Sequence, residues 1–413
     1  LPNALDETSL RYAGWRVVLT CFLIALFLFG FGLYGHGVYV AELQRLRGWP
    51  PALISGASTL SFLISNISAT FTNELLNRFG PRRLILMGMA ALAASTTLLA
   101  FATVPWQLYA AFILMAFGWI GMGTVVIATI VSIWFVSRRG LAISLAFNGA
   151  SFGGVIVAPL LVLLVETIGF TAAMLATTAI MLAVLVPAVL AWIGPPPQSG
   201  NLAEHQPERS SASQFPGDQT HISRATVLRR PAFWTISLPF ALALIAQVGL
   251  IVHQIALLEP KIGRNGAGFA VALTTFMAVA GRICLGVIVD RLNPRWVTAA
   301  SLVSQAAALL TITQTDNAPT VFAACAIFGF SVGNLITLPP LIIHREFEAG
   351  AFAVVMGLST AMTGTIGALG PGLVGLVRAW SGDYGVALAL CISLELAAAM
   401  IVLGGKKAGI VAE

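Results

Sequence analysis

Charge is what this chain has least of. Asp, Glu, Lys and Arg make up 9% of its 413 residues, where a soluble domain carries about a quarter. A water-soluble core of this size could not hide the 58% of residues that are hydrophobic, so the solvent must be lipid. Acid is the scarcer sign, with 16 Asp and Glu against 22 Lys and Arg. The excess of base is not a nucleic-acid signal, because the basic residues recur in short clusters between apolar runs and form no single patch. Cysteine is almost absent. Cys21, Cys284, Cys325 and Cys391 all fall within apolar runs, without zinc-ligand or redox spacing, and are expected to be small apolar packers. The five histidines, His36, His205, His221, His253 and His344, are scattered, which argues against a membrane enzyme with clustered acid–base groups. No P-loop, metal motif or nucleophile elbow is present, so nothing draws on ATP directly and no cofactor or metal is expected. The first apolar run lacks a small-residue cleavage site and reads as a retained membrane helix.

What the sequence does have is apolar length. Twelve runs reach roughly the 20 residues needed to cross ~30 Å of hydrocarbon. They lie near 15–39, 52–73, 82–103, 106–133, 140–165, 170–193, 233–258, 267–289, 294–314, 318–343, 350–377 and 384–404. The expected fold is therefore all-α, with twelve transmembrane helices. Residues 194–232 interrupt the series with a polar, Pro- and Ser-rich stretch that reads as a linker. It divides the chain into 1–193 and 233–413, six spans each. Sixteen Lys and Arg fall on the N-terminal side of the spans and five on the other, with Arg282 between. This asymmetry predicts both termini and the linker in the cytoplasm, in a cell inner membrane.

The two halves repeat. "NELLNRFGPRR" (73–83) follows span two and "GVIVDRLNPRW" (286–296) follows span eight. Asn77, Arg78 and Arg82 align with Asp290, Arg291 and Arg295 at an offset of 213, and Pro159 aligns with Pro371 at 212. Parallel six-span repeats place a substrate site between the halves, near mid-membrane.

With these motifs the chain resembles the major facilitator superfamily, whose loop signature is an Asp-Arg pair and a following basic residue after a Gly-x-x-x run. The first copy departs from it, with Asn73 for the Gly and Asn77 for the Asp. More narrowly, "WFVSRRGLAISLAFNGASFGG" (134–154) and "GLYGHGVYVAELQRLRGWPPALIS" (32–55) are similar to the fifth and first spans of monocarboxylate transporters and their oxalate/formate-type relatives. That resemblance implies a secondary transporter for a small organic carboxylate, working by alternating access. It also puts Arg282 where the group's span-eight Arg binds the substrate carboxylate. Two positions depart from the animal members: Ala278 stands for an Asp four residues before the Arg, and Tyr34 for a Lys in span one.

Arg282 also stands out on physical grounds alone. It lies eight residues before Asp290, about 12 Å along a helix, where a charge costs a few kcal/mol and normally faces a cavity. Its planar fork matches a carboxylate. The competing reading is an Arg that snorkels or pairs with Asp290. Further substrate-site candidates are Tyr34 and Gln247, which match at the offset of 213, and Asn148, Trp119 and Asn334, which fall at middle depth. Each has a plain alternative as helix packing. For coupling to a proton, expected as co-substrate, the candidates are His253 and His36, each otherwise a histidine bonded to backbone at a helix end. The third is Glu395, otherwise a protonated Glu bonded within the bundle.

A multidrug or metabolite efflux antiporter is the nearest rival, but its cation-binding forms want an acid on the cavity wall, and Glu42, Glu259 and Asp290 are all terminal. A non-transporting nutrient sensor would carry a larger domain than the linker can hold. The chain is expected to act as a monomer in the bilayer, with no nucleic-acid partner.

Overall fold

The computed structural model describes residues 7, 9, 11–135, 137–194, 224–288, 292–335, 337–348 and 350–405. Among them there is no strand, and eleven continuous helices are long and apolar enough to cross a membrane. Spans one to six are Gly14–Arg47, Pro51–Phe79, Pro81–Ala100, Pro105–Trp134, Arg139–Ile168 and Phe170–Trp192. The next helix, Pro231–Ile288, crosses twice. Gly263 breaks it at φ 73°, ψ 168°, a backbone conformation that costs glycine little and other residues much. Residues 231–262 and 264–288 are therefore spans seven and eight. Spans nine to twelve are Pro294–Gln314, Ala318–Glu346, Val354–Ser381 and Gly385–Gly404. The fold is twelve transmembrane helices in two pseudo-symmetric six-helix bundles.

Two details differ from the sequence expectation. Spans one and two run on to Arg47 and Phe79, well past the apolar windows. Their ends, "AELQRLR" and "NELLNRF", are made of good helix formers that continue the helix after the hydrocarbon stops. The linker also carries a short helix, Arg224–Arg229, at the end nearest span seven; residues 195–223 lie outside the described part. The stops and starts elsewhere follow local chemistry. Pro51, Pro81, Pro105 and Pro294 occupy the first turns of their helices, where a missing N–H costs nothing.

The repeat has a structural counterpart at the end of each half. Arg82 Nη2 donates to the Leu190 carbonyl at 2.7 Å, at the end of span six. Arg295 Nη1 donates to the Val402 carbonyl at 2.6 Å, at the end of span twelve. The last carbonyls of a helix lack intrahelical partners, and in each half the Arg that opens its third helix supplies one. Arg295 is also buried and holds Glu346 through two bonds of 2.5 and 2.7 Å.

Spans eight and ten meet backbone to backbone. A Cβ on Gly333 would run into the Ala278 carbonyl, on Gly329 into the Thr274 carbonyl, and on Gly281 into the Phe330 carbonyl. This contact fixes the level at which Arg282 leaves span eight. Gly333→Val should cost about 3 kcal/mol or more through overpacking against rigid backbone, read as a fall of several degrees in melting temperature. A variant that melts with the wild type would show that the two spans slide apart freely.

Candidate functional site

Spans one and five each carry one wide turn, a π-helical segment, at Gly30–Tyr34 and Gly153–Val157. The two face each other. Gly153 sits against the Leu26 carbonyl and Gly30, Gly30 against Val157, and Gly149 against the Phe22 carbonyl. Such turns recur at functional sites, because they re-aim the side chains that follow. Tyr34 closes the first of them, and Ser151 lies two residues before the second.

Arg282 meets them there. Its Nη2 donates to Ser151 Oγ, and its Nε donates to the Ala278 carbonyl at 3.2 Å. The Tyr34 ring lies within its electrostatic reach. Arg282 is half-buried, and among the described residues no carboxylate pairs with it. Guanidinium offers five N–H donors, so several have no partner among the described residues. Asn148 is half-buried three residues before Ser151, on the same face of span five. Asp290 and Arg291 lie outside the described residues.

Two cavities lie in the space between the halves among the described residues. One, of about 350 Å³, is walled by Phe29, Leu33 and Trp119 from the first half and by Leu244 and Val248 from the second. The other, of about 340 Å³, includes Gln247 and Pro339. Asn66, Leu244 and Gly364 line both. Asn66 is exposed to this space and its amide donates to the Phe62 carbonyl at 2.9 Å. Trp119 Nε1 is buried, has no hydrogen-bond partner among the described residues, and backs onto Gly32. Gln247 is buried at its far end, donating to Gln305 Oε1 at 3.0 Å. Asn334 is not in either cavity. It lines a separate groove with Cys284 and Phe330, and its buried Oδ1 lies close to Gly281.

The end of this space away from the termini is sealed. Glu42 of span one is 1% exposed and forms an ion pair with Arg264, the first residue of span eight. Arg45 reaches the same carboxylate at 2.9 Å. The Gly372 N–H donates to Thr59 Oγ1 at 2.8 Å, and Gly37 packs against the Ile251 carbonyl. Toward the termini the cavity reaches Ala69 and Thr72, toward the C-terminal end of span two. The space is thus closed at the end away from the termini, with a cavity that extends toward the end that holds them.

The model of the Major Facilitator Superfamily matches residues 22–371. The chain belongs to that superfamily. It is a membrane transporter, as its relatives are, and not an enzyme. It is 26% identical to monocarboxylate transporter 11 of Homo sapiens, over 95% of this chain and 82% of the relative. It is 25% identical to monocarboxylate transporter 13 of Bos taurus, over 90% and 84%. Among solved structures it is similar to nucleoside transporter NupG, at a TM-score of 0.73 and 14% identity, covering 95% of this chain and 98% of that one.

Within this superfamily transporter the two sequence departures meet at one place. The Ala278 carbonyl accepts from Arg282 Nε, and Tyr34 lies within electrostatic reach of the guanidinium. Neither position carries a charge, and among the described residues no carboxylate pairs with Arg282. Of the proposed proton sites, His253 has both ring nitrogens engaged. Nε2, facing the Pro371 carbonyl at 3.1 Å, must donate, so Nδ1 accepts from the Tyr384 hydroxyl at 3.1 Å. His36 is buried among Tyr39, Phe62 and Phe112, with Nε2 3.0 Å from Met115 Sδ and Nδ1 without a partner among the described residues. Glu395 is fully buried in span twelve, and neither carboxyl oxygen has a hydrogen-bond partner among the described residues. In the loop motif Asn77 and Arg78 are exposed, and Arg78 lies over the Phe79 ring at 5.4 Å.

The sequence reading did not single out Ser151, Asn66, Gln305 or Arg264. The glycine clusters in "GFGLYGHG" and "GASFGG" are the one signal that could have pointed to the two wide turns.

Proposed function

We propose that this transporter moves a small organic carboxylate across the inner membrane by alternating access, in symport with a proton. The observation that carries the reading is Arg282, a half-buried guanidinium between the two halves with no carboxylate partner among the described residues. An unpaired charge at that depth is costly, and a bound carboxylate would both neutralise it and fill its open donors. The relatives named for monocarboxylate transport support the substrate class. Residues 1–193 and 233–413 act as the two rocking bundles of a monomer, joined by 194–232. The distribution of Lys and Arg supports a cytoplasmic position for both termini and the linker.

The proton travels on the substrate or on one of His253, His36 and Glu395, since Ala278 and Tyr34 carry no charge in place of the group's Asp and Lys. The test is uptake of labelled mono- and dicarboxylates into proteoliposomes with and without an imposed pH gradient. An inside-alkaline gradient should accelerate uptake of at least one several-fold. Uptake that ignores the gradient would replace symport with exchange or uniport. No uptake of any carboxylate would overturn the substrate class.

A further inference from the structure

Span eleven is broken. Its two helices, Phe352–Gly367 and Gly370–Ser381, are separated by Ala368 and Leu369. The first N–H groups of the second helix have no partner along their own helix. Pro371 has none to offer, and the Gly372 N–H donates to Thr59 Oγ1 of span two at 2.8 Å. The same peptide group is held from its other side. The Pro371 carbonyl faces His253 Nε2 of span seven at 3.1 Å. One peptide unit thus joins a side chain of the second half to a side chain of the first.

Packing puts His253 in place. A Cβ on Gly249 would run into the Gly370 carbonyl and Val374, and one on Gly370 into the Ile245 carbonyl. Spans seven and eleven therefore touch along this face, and His253, four residues after Gly249, lies on it. The ring is buried. A nitrogen facing a carbonyl must donate, so Nδ1 accepts from the Tyr384 hydroxyl at 3.1 Å. Tyr384 is placed in turn by Arg378, whose Cζ lies 5.2 Å from its ring centroid, across the left-handed turn at Gly382, φ 85°. Donation runs one way throughout: Tyr384 to His253, His253 to the Pro371–Gly372 peptide, and that peptide to Thr59. Hydrogen bonds set head to tail polarise and strengthen one another.

We infer that His253 and Tyr384 are positioning residues for closure of the end away from the termini, orienting the Pro371–Gly372 peptide so that its N–H meets Thr59 across the halves. Of the three bonds only the last crosses between halves, so it is the one that breaks when this end opens. The other two stay with the second half and keep the donor aimed. Tyr384 acts through the tautomer. Without its proton the imidazole can carry hydrogen on Nδ1 and turn a bare Nε2 toward the carbonyl. The inference rests on the alternating-access reading for the opening itself, and on nothing about the substrate.

Ser55 reports the opening. It lies one turn beyond Thr59, is fully buried, and packs against Gly375, one turn beyond Gly372. The test is the rate at which a water-soluble thiol reagent labels Ser55→Cys in the purified full chain, in a Cys284→Ser background where the other three cysteines are buried. His253→Leu should raise the rate roughly five- to tenfold, the effect of about one hydrogen bond. Tyr384→Phe should act in the same direction, and it still reads the chain if His253→Leu fails to fold. His253→Gln, which keeps a donor and an acceptor on one planar amide, should return most of the wild-type rate. With Thr59→Val already present, neither His253→Leu nor Tyr384→Phe should add much, because the bond they aim is gone. Gly372→Val, whose side chain would press on Thr59, gives the rate for an end forced apart. Fast labelling of Gly372→Val with His253→Leu and Tyr384→Phe at the parent rate would overturn the inference and leave the opening intact. Slow labelling of Gly372→Val as well would mean that this end does not open, and the alternating-access reading would fall with it. An equal rise for His253→Leu with and without Thr59 would make His253 a general packing residue and overturn its positioning role.

Discussion

Arg282→Ala should fold, melt no lower than the wild type, and lose carboxylate binding by about 10- to 150-fold. The range comes from the roughly 1.5–3 kcal/mol that a hydrogen bond to a charged group contributes, at about 1.4 kcal/mol per factor of ten. Stability should hold because the guanidinium's bonds within the protein are few: one to the Ser151 hydroxyl and one to the Ala278 carbonyl of its own helix. Truncation removes a desolvated charge with no counter-ion among the described residues, and Ser151 can bond its own helix backbone instead. Arg282→Lys keeps the charge and loses the fork that spans both carboxylate oxygens, so its affinity should fall between wild type and Ala. The measurement is carboxylate affinity and melting temperature for the three proteins. If Arg282→Ala binds and transports normally, Arg282 is a strut between spans five and eight. A large fall in melting temperature with affinity retained in the folded fraction would say the same.

Tyr34 sharpens this expectation. A lysine at that position would stand beside Arg282 as a second cation and would need a nearby acid to balance it. Here Tyr34 and Ala278 supply neither, so on the carboxylate reading the substrate meets one positive charge that no carboxylate among the described residues pairs. On that reading the empty state is the costly one, and a bound carboxylate relieves it.

The spans were legible because lipid imposes a length on every crossing, and composition alone marks where each begins. Arg282 was legible for the same reason, as a charge inside an apolar run. The repeat could be read from Arg82 and Arg295 because both do the same local job, donating to the final turns of spans six and twelve. What escaped was helical phase. In a span that is apolar all round, periodicity says little about which face looks at the cavity. Asn334 has the depth of a site residue but points into a groove with Cys284 and Phe330, while Asn66 and Ser151, equally plain in the sequence, face the space between the halves. The wide turns at Gly30–Tyr34 and Gly153–Val157 deepen the problem, since each shifts the phase of everything after it. Glu42 read as a terminal acid for a different reason. Its partner is Arg264, 222 residues away, and nothing local announces such a pairing.

That pairing predicts the second large effect: Glu42→Gln should unlatch the outer end. The ion pair joins span one to the start of span eight, so it crosses from one half to the other and must break when the outer side opens. Glu42 is almost wholly buried and Arg264 only 18% exposed, a setting where close pairs across interfaces show coupling of about 1.5–7 kcal/mol. Gly263 makes the geometry possible, because its left-handed turn ends span seven and starts span eight directly at Arg264. Gln keeps the size and loses the charge, so the sealed state alone is weakened. Thr59, bonded to the Gly372 N–H inside the sealed contact, reports the opening when replaced by Cys in a Cys284→Ser background, since the other three cysteines are buried. Labelling of Thr59→Cys by an impermeant thiol reagent should rise about 100-fold in Glu42→Gln if roughly 3 kcal/mol is lost from the sealed state. Arg264→Gln should do the same, and the double variant should add little to either, the signature of one shared contact. Arg45 sets a lower limit on the effect, because it holds the same carboxylate from its own helix and does not cross the gap. Its loss should leave labelling near the wild-type rate. Should Glu42→Gln label no faster than its parent, the outer end is held by the backbone contacts at Gly372 and Gly37, and the ion pair merely accompanies closure.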